Sequence, residues 1–139
     1  MEATEIVRQV LEEPWKGNWD VIETFVSSDY IGHDPAEADP VRGPAGVRAR
    51  IERYLTGFPG ATLTVVDQLA DGDRVATRWT ARGIQAGEIA GIAATGREIT
   101  VSGMTISRLD GDLVAEDWTS WDTLGMLVQL GAISAPVEA

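Results

Sequence analysis

Cysteine is absent from the 139-residue chain, which removes both a disulfide framework and any thiolate metal site. Histidine occurs once, at His33, and lysine once, at Lys16. A zinc centre of the imidazole type needs several histidines, and a phosphate-cradling glycine loop needs a lysine beside it. Neither requirement is met, and no serine lies in a nucleophile-elbow context. Apolar runs are short and broken by charge, so no segment reads as a membrane span. Positive charge is scarce too, with 11 Lys and Arg against 22 Asp and Glu and a net charge of -11. Such a surface repels phosphate backbones, and the scattered arginines form no basic patch, so nucleic acid is excluded as a partner. The opening residues, Met1 to Glu5, lack the basic and apolar blocks of a secretory signal and predict a cytoplasmic protein.

What remains has ordinary globular composition, 44% apolar and 24% charged, at a length that suits one domain. We expect that domain over 1–134, with 135–139 as a flexible tail. Ile6, Val7, Val10 and Leu11 recur at helical spacing over Thr4–Glu13, with Thr4 as the expected N-cap and Pro14 as the stop. Asp20 is placed to cap a short second helix through Val26. Tyr30–Pro40 reads as a strand and then an acidic loop. A third helix starts at Pro44, where a missing N–H costs nothing, and buries Val47, Ile51, Tyr54, Leu55 and Phe58.

The hydrophobic period then changes to two. Leu63, Val65, Asp67 and Leu69 share a face, as do Val75, Thr77, Trp79 and Ala81. Ile99, Val101, Gly103 and Thr105 share another. Four strand patterns without an intervening helix predict an antiparallel meander. Two loops carry the same Asp-Gly-Asp core, Asp71–Asp73 and Asp110–Asp112, as tight hairpins require. The glycine-rich stretch from Ile84 to Gly96 reads either as a mobile rim over a pocket or as a loose hairpin end. A final helix over Thr123–Leu130 is expected to end at Gly131. Helices first and a long meander after them predict an α+β fold. In it a curved antiparallel sheet wraps the N-terminal helices into a cone-shaped barrel with an internal pocket.

The chemistry then rests on carboxylates, one imidazole and aromatic walls. Continued from Val114, alternation puts Glu116, Trp118, Ser120 and Asp122 on one face and Asp117, Thr119 and Trp121 on the other. If the first set faces the hollow, Asp122 and Glu116 lie beside apolar walls, and a carboxylate there has a raised pKa suited to proton transfer. The competing reading makes Asp122 the N-cap of the last helix. His33 is the one side chain titrating near neutrality and reads as a partner for a substrate carbonyl or the acid. Asp34, Glu37 and Asp39 read as a solvated loop, not a calcium site. Trp15, Trp79 and Trp118 are candidates for stacking on a flat ligand. Tyr30, Tyr54, Phe58, Met104 and Leu127 are candidate walls.

An ordered set of short pieces is similar to the SnoaL-like polyketide cyclases of the nuclear-transport-factor-2-like superfamily. The pieces are Tyr30–Pro35, Phe58–Pro59, Asp71–Asp73, Gly83, Gly87, Gly91, Thr95–Arg97, Gly103, Trp118, Asp122 and Gln129–Gly131. The resemblance implies a cystatin-like cone, homodimers formed through sheet faces, a hydrophobic or aromatic small-molecule substrate and no cofactor or metal. It also implies an intramolecular aldol condensation, with Asp122 matching the family's general acid/base and His33 a pocket position. The penultimate strand departs from the pattern, offering Ser102, Thr105 and Ser107 where characterised cyclases carry a histidine. Two other readings stay open. One is an epoxide-opening hydrolase or cyclase using Asp122 with Glu116 or Asp34. The other is a non-catalytic protein binding a hydrophobic ligand.

Overall fold

The first helix, α1 (Ala3–Glu12), forms around Ile6, Val7 and Val10, all buried, while Arg8 is paired with Glu5 and Glu12 on the outer side. Glu2, not Thr4, occupies its N-cap, and no side chain caps it. The computed structural model describes residues 1–135; of the tail expected at 135–139, residues 136–139 lie outside the described residues, and Ala135 carries no regular structure. Pro14 stops the α-helix as predicted but opens a 3-10 turn, Glu13–Lys16, closed by Gly17 at φ 92°. A short helix, α2 (Asp20–Phe25), runs directly into strand β1 (Val26–His33). A two-residue strand, β2 (Val41–Arg42), precedes α3 (Gly43–Gly57), which carries its proline in the first turn.

The meander follows as β3 (Thr62–Asp71), β4 (Arg74–Ile84), β5 (Glu98–Asp110) and β6 (Leu113–Trp121), then α4 (Thr123–Gln129). Its two tight hairpins pair Asp71 with Arg74 and Asp110 with Leu113, leaving two-residue loops. In each, glycine takes the first central position with a left-handed φ, 59° at Gly72 and 61° at Gly111, the geometry that matches strand twist.

The six strands are ordered β2-β1-β6-β5-β4-β3. The expected α+β architecture is present, with two corrections of detail. First, β1 joins β6 in parallel, so the sheet is mixed. A helix and four strands separate the two, so no tight turn forces them antiparallel. Second, the sheet remains open, with β2 and β3 as its edges. The β3 edge is covered by α1 instead of by another strand: Glu12 Oε2 accepts the Val65 amide at 2.8 Å, and Gln68 Nε2 donates to the Thr4 carbonyl at 3.0 Å.

Two irregularities change which residues face the helices. A shift between Val65 and Asp67 reverses the parity of β3, so Leu69, expected inside, is 80% exposed. In β6, Leu109 of β5 pairs with Val114, but Arg108 pairs with Glu116, leaving Ala115 as an extra residue. A bulge of this kind sends every later side chain to the opposite face. Val114 is buried on the helix side, and beyond the bulge Asp117, Thr119 and Trp121 turn inward.

The apolar interior has two parts. One joins α1, α2 and α3 to the sheet through residues such as Ile6, Ile22, Val47, Ile51 and Val114. The other lies under α4 and includes Phe58, Ile89, Ile99, Val101 and Met126.

The segment after β4 is pinned by one buried amide. Gln85 is fully buried; its Nε2 donates to the carbonyls of Gly87 and Ile92, and its Oε1 accepts from both the amide and hydroxyl of Thr95. The Gly57 carbonyl, at the end of α3, accepts from the Ala86 and Gly87 amides. Gln85→Leu strands several buried polar groups, each costing about 1–3 kcal/mol. The expected loss is about 2–4 kcal/mol of unfolding free energy in urea titration, and a change under 0.5 kcal/mol contradicts the staple.

Candidate active site

Between the two apolar clusters lies a cavity of about 120 Å³. Its helix side is made by Trp15, Arg50, Ile51 and Tyr54, and its sheet side by Tyr30, Trp79, Val101, Thr105, Asp117, Thr119 and Trp121. Phe58 and Met126 lie on its border with the second cluster. Strand parity explains the sheet side: Thr105, Ser107 and Leu109 face inward along β5, opposite Thr119, Asp117 and Val114 of β6.

Asp117 is the acid of this wall and is only 5% exposed. Its Oδ2 accepts the Tyr30 hydroxyl at 2.8 Å, while Oδ1 has no hydrogen-bond partner among the described residues. Burial pushes the Asp117 carboxyl above the usual range, against the pull of the Ser107 and Tyr30 hydroxyls and the Arg50 guanidinium. Desolvation penalises the charged form and outweighs the partners. The same burial, with Asp117 beside it, pushes the Tyr30 hydroxyl well up, so that it stays a donor.

The indoles and hydroxyls beside it are partnered. Trp79 Nε1 donates to Thr105 Oγ1 at 3.0 Å, and Thr105 and Thr119 share a hydroxyl contact at 2.9 Å. Trp121 Nε1 donates to Asp34 Oδ2 at 3.1 Å, and Asp34 Oδ1 accepts the Ala36 amide. Asp34 therefore positions Trp121 and turns its loop, and neither of its oxygens is free. Trp121 also meets Tyr54 edge to face at 6.0 Å. The Trp79 indole lies against Gly103, where a Cβ would sit 2.4 Å from Trp79 Cζ2.

Of the residues singled out from sequence, Trp15, Tyr30, Tyr54, Phe58 and Trp79 line the cavity. Leu127 packs against the second apolar cluster. His33, Met104, Glu116 and Trp118 are placed on the opposite side of the sheet: for Glu116 and Trp118 the Ala115 bulge reverses the alternation on which their placement was based, Met104 alternates with the inward Thr105 on β5, and His33 pairs with Trp118 from β1. There His33 Nε2 contacts Glu116 Oε2 at 2.7 Å, and the His33 ring stacks on Trp118 at 5.7 Å. The His33 contact, with Arg108 adding to it, holds Glu116 below the usual carboxylate range. Met104 is 54% exposed on the same side. Asp122 is exposed and caps α4, its Oδ1 accepting the Gly125 amide at 2.8 Å.

Asp117, Arg50 and Trp121 are the cavity residues that alternation from Val114 misplaced or left out. The signal that points to Asp117 is the neighbouring strand, where small polar residues, Thr105 and Ser107, share a face with Val101. An apolar face that turns polar midway marks where an acid has to be accommodated.

A family model described as SnoaL-like polyketide cyclase matches residues 5–130. TsrD of Streptomyces laurentii is 31% identical over 94% of this chain and 93% of its own, with a TM-score of 0.78. IdmH of Streptomyces antibioticus, called a candidate polyketide cyclase, is 29% identical over 94% and 99%, with a TM-score of 0.82. A SnoaL-like protein of Jannaschia sp. CCS1 shares the fold, with a TM-score of 0.84 at 22% identity over 96% and 93%. No curated protein matches the chain. No helix among the described residues is long and apolar enough to cross a membrane.

A carboxyl that holds its proton more tightly folded than unfolded stabilises the fold below its unfolded pKa. That contribution is lost as pH rises through the folded pKa. Asp117→Asn removes the titration. Its melting temperature relative to the parent is expected to climb steadily from about pH 4 upward; a difference independent of pH contradicts the raised pKa.

Proposed function

The chain belongs to the SnoaL-like polyketide cyclase family, and on that premise we propose that it is a general acid/base enzyme of the aldol-cyclase type with Asp117 as proton carrier. The observation that carries this reading is a buried carboxyl whose Oδ1 has no hydrogen-bond partner at the wall of an aromatic cavity. A buried polar atom without a partner is costly, and a substrate proton satisfies it. The substrate is a polyketide-like carbonyl compound with a flat apolar body, held among Trp15, Tyr54, Trp79 and Trp121.

In this reading Asp117 Oδ1 takes a proton from a carbon between two carbonyls. The C–H electron pair spreads onto the carbonyl oxygens as an enolate. The enolate carbon then attacks a second carbonyl of the same molecule, forming the C–C bond, and the resulting alkoxide takes the proton back from Asp117. A raised carboxyl pKa brings acid and base forms closer in population near neutral pH, which suits one group serving both steps. Tyr30, donating to Oδ2, fixes the carboxyl plane so that Oδ1 faces the substrate. Asp122 keeps its structural use at the α4 N-terminus, where a carboxylate also meets a favourable helix end.

Asp117→Asn is expected to reduce kcat by about 10²- to 10⁴-fold with the fold retained. Asp122→Asn, still able to cap, keeps most of the activity. If turnover on a β-dicarbonyl polyketide analogue is instead lost in the Asp122 variant and kept in the Asp117 variant, the assignment is overturned.

The sheet face opposite the cavity supports a homodimer, as the family resemblance implies. Met104 and Ile106 are exposed there beside the half-buried Trp118, between the charged ends formed by Arg78–Asp67 and Arg108–Glu116. Ile106→Glu places buried like charges across a two-fold axis, so analytical ultracentrifugation is expected to show a shift from dimer to monomer. An unchanged sedimentation coefficient removes this face as the interface.

A further inference from the structure

Arg50 contributes a cation to a cavity whose wall is mainly apolar apart from the polar strip around Asp117, Thr105 and Thr119. It projects from the middle of α3, is half-buried, and has no carboxylate partner among the described residues. Other arginines are engaged: Arg8 by Glu5 and Glu12, Arg48 by Glu52, Arg53 by Glu37, Arg78 by Asp67 and Arg108 by Glu116. Arg82, which also reaches the cavity wall, is exposed and directs its Nε to Thr100 Oγ1 at 3.5 Å. Opposite α3, Asp117 presents its unpartnered Oδ1, and Tyr30 stands beside both groups, its hydroxyl already given to Asp117 Oδ2. The guanidinium pulls the pKa of both Asp117 and Tyr30 downward, as a cation near them must.

A guanidinium beside the Tyr30 hydroxyl with no carboxylate partner among the described residues keeps donors to offer a ligand, and its planar fork matches a planar oxyanion. Its location near Asp117 matters because a proton removed by Oδ1 leaves negative charge on the adjacent carbonyl oxygens. In a chain of net charge -11 the general field disfavours an anion, and a cation at the site offsets that locally because distant charges are screened. Preorganised positive charge where negative charge develops is the most effective electrostatic aid to such a step.

We propose that Arg50 binds a planar oxyanion inside this cavity, and that the ligand is an apolar ring system conjugated to that oxyanion, an enolate or a carboxylate. The inference rests on the reading of this cavity as the active site and names the substrate class it takes. The C–H bond broken by Asp117 leaves its electron pair on an oxygen held by Arg50, and the proton resides on Asp117 Oδ1 until the alkoxide recovers it. No further co-reactant is involved.

Calorimetric titration of the full chain with two matched pairs tests it. One pair is 2-naphthoate against 2-naphthamide. The other is the enolate of 1,3-cyclohexanedione against its neutral enol ether, 3-methoxycyclohex-2-enone. At least one anion is expected to bind 10-fold or more tightly than its neutral partner, and which anion does so identifies the oxyanion source. In Arg50→Gln, and in Arg50→Met, which keeps the apolar stem, that ratio is expected to fall to about one. Ratios near one for both pairs in the parent chain overturn the proposal without needing either variant to fold. A preference that persists in a folded Arg50 variant overturns it too. Because these measurements read affinity and not turnover, they stand apart from the Asp117 result. An anion preference with an active Asp117→Asn enzyme leaves Arg50 in place and removes the proton carrier.

Discussion

The bulge at Ala115 decides what the cavity contains. Along β6 each residue has one face only, and the strand must place Val114 against the helices to complete the apolar cluster built on α1 and α3. With strict alternation, the same face downstream would carry Glu116, Trp118 and Ser120, and His33 would stay on the far side. The extra residue keeps Val114 inside and still turns Asp117, Thr119 and Trp121 inward. It thereby meets Ser107, Thr105 and Gly103 of β5 with partners that fit them: a carboxyl beside a hydroxyl, two hydroxyls together, and a tryptophan opposite a glycine. The polar strip of the cavity and its apolar floor belong to the same two strands, offset by a single residue.

The Asp117 carboxyl shows why such a strip is confined to a few positions. A buried acid without a full set of partners disfavours the folded state at neutral pH, and the surrounding core has to offset that. The offset is visible in the arrangement. Tyr30 satisfies one oxygen, Asp34 and Thr105 satisfy the indoles of Trp121 and Trp79, and Oδ1 is left without a partner among the described residues. A cavity wall with one unsatisfied atom is selective about what it accepts, because a purely apolar ligand leaves that atom desolvated.

Much of the architecture was legible from periodicity. The helices around Val7, Ile22 and Ile51, the four long strands, both Asp-Gly-Asp hairpins and the last helix follow from spacing and turn chemistry. So do five of the aromatic cavity residues, Trp15, Tyr30, Tyr54, Phe58 and Trp79, although the same reasoning put Trp118 there too. The acid was not legible in the same way. A bulge carries little local sequence signature, and Ala115 looks like an ordinary small strand residue, so parity counted from Val114 placed Glu116 and Asp122 inside. The parallel pairing of β1 with β6 was hidden for a related reason: partners far apart in sequence leave no turn between them to read. The Ile84–Gly96 stretch, rich in glycine, gave the pattern of a loose segment, while its order depends on one buried side chain, Gln85, that composition cannot single out.

Gly103 carries a consequence for how this chain could be diversified. The indole of Trp79 occupies the space its side chain would take, and Trp121 Cβ lies 2.8 Å from the same point. Any larger residue there has to push both rings forward, narrowing the chamber from behind its own panelling. Ligand size is thus tunable from a position that never touches the ligand. A variant library aimed at new cargo should begin at that hidden hinge point and leave Asp117 and Arg50 as they are.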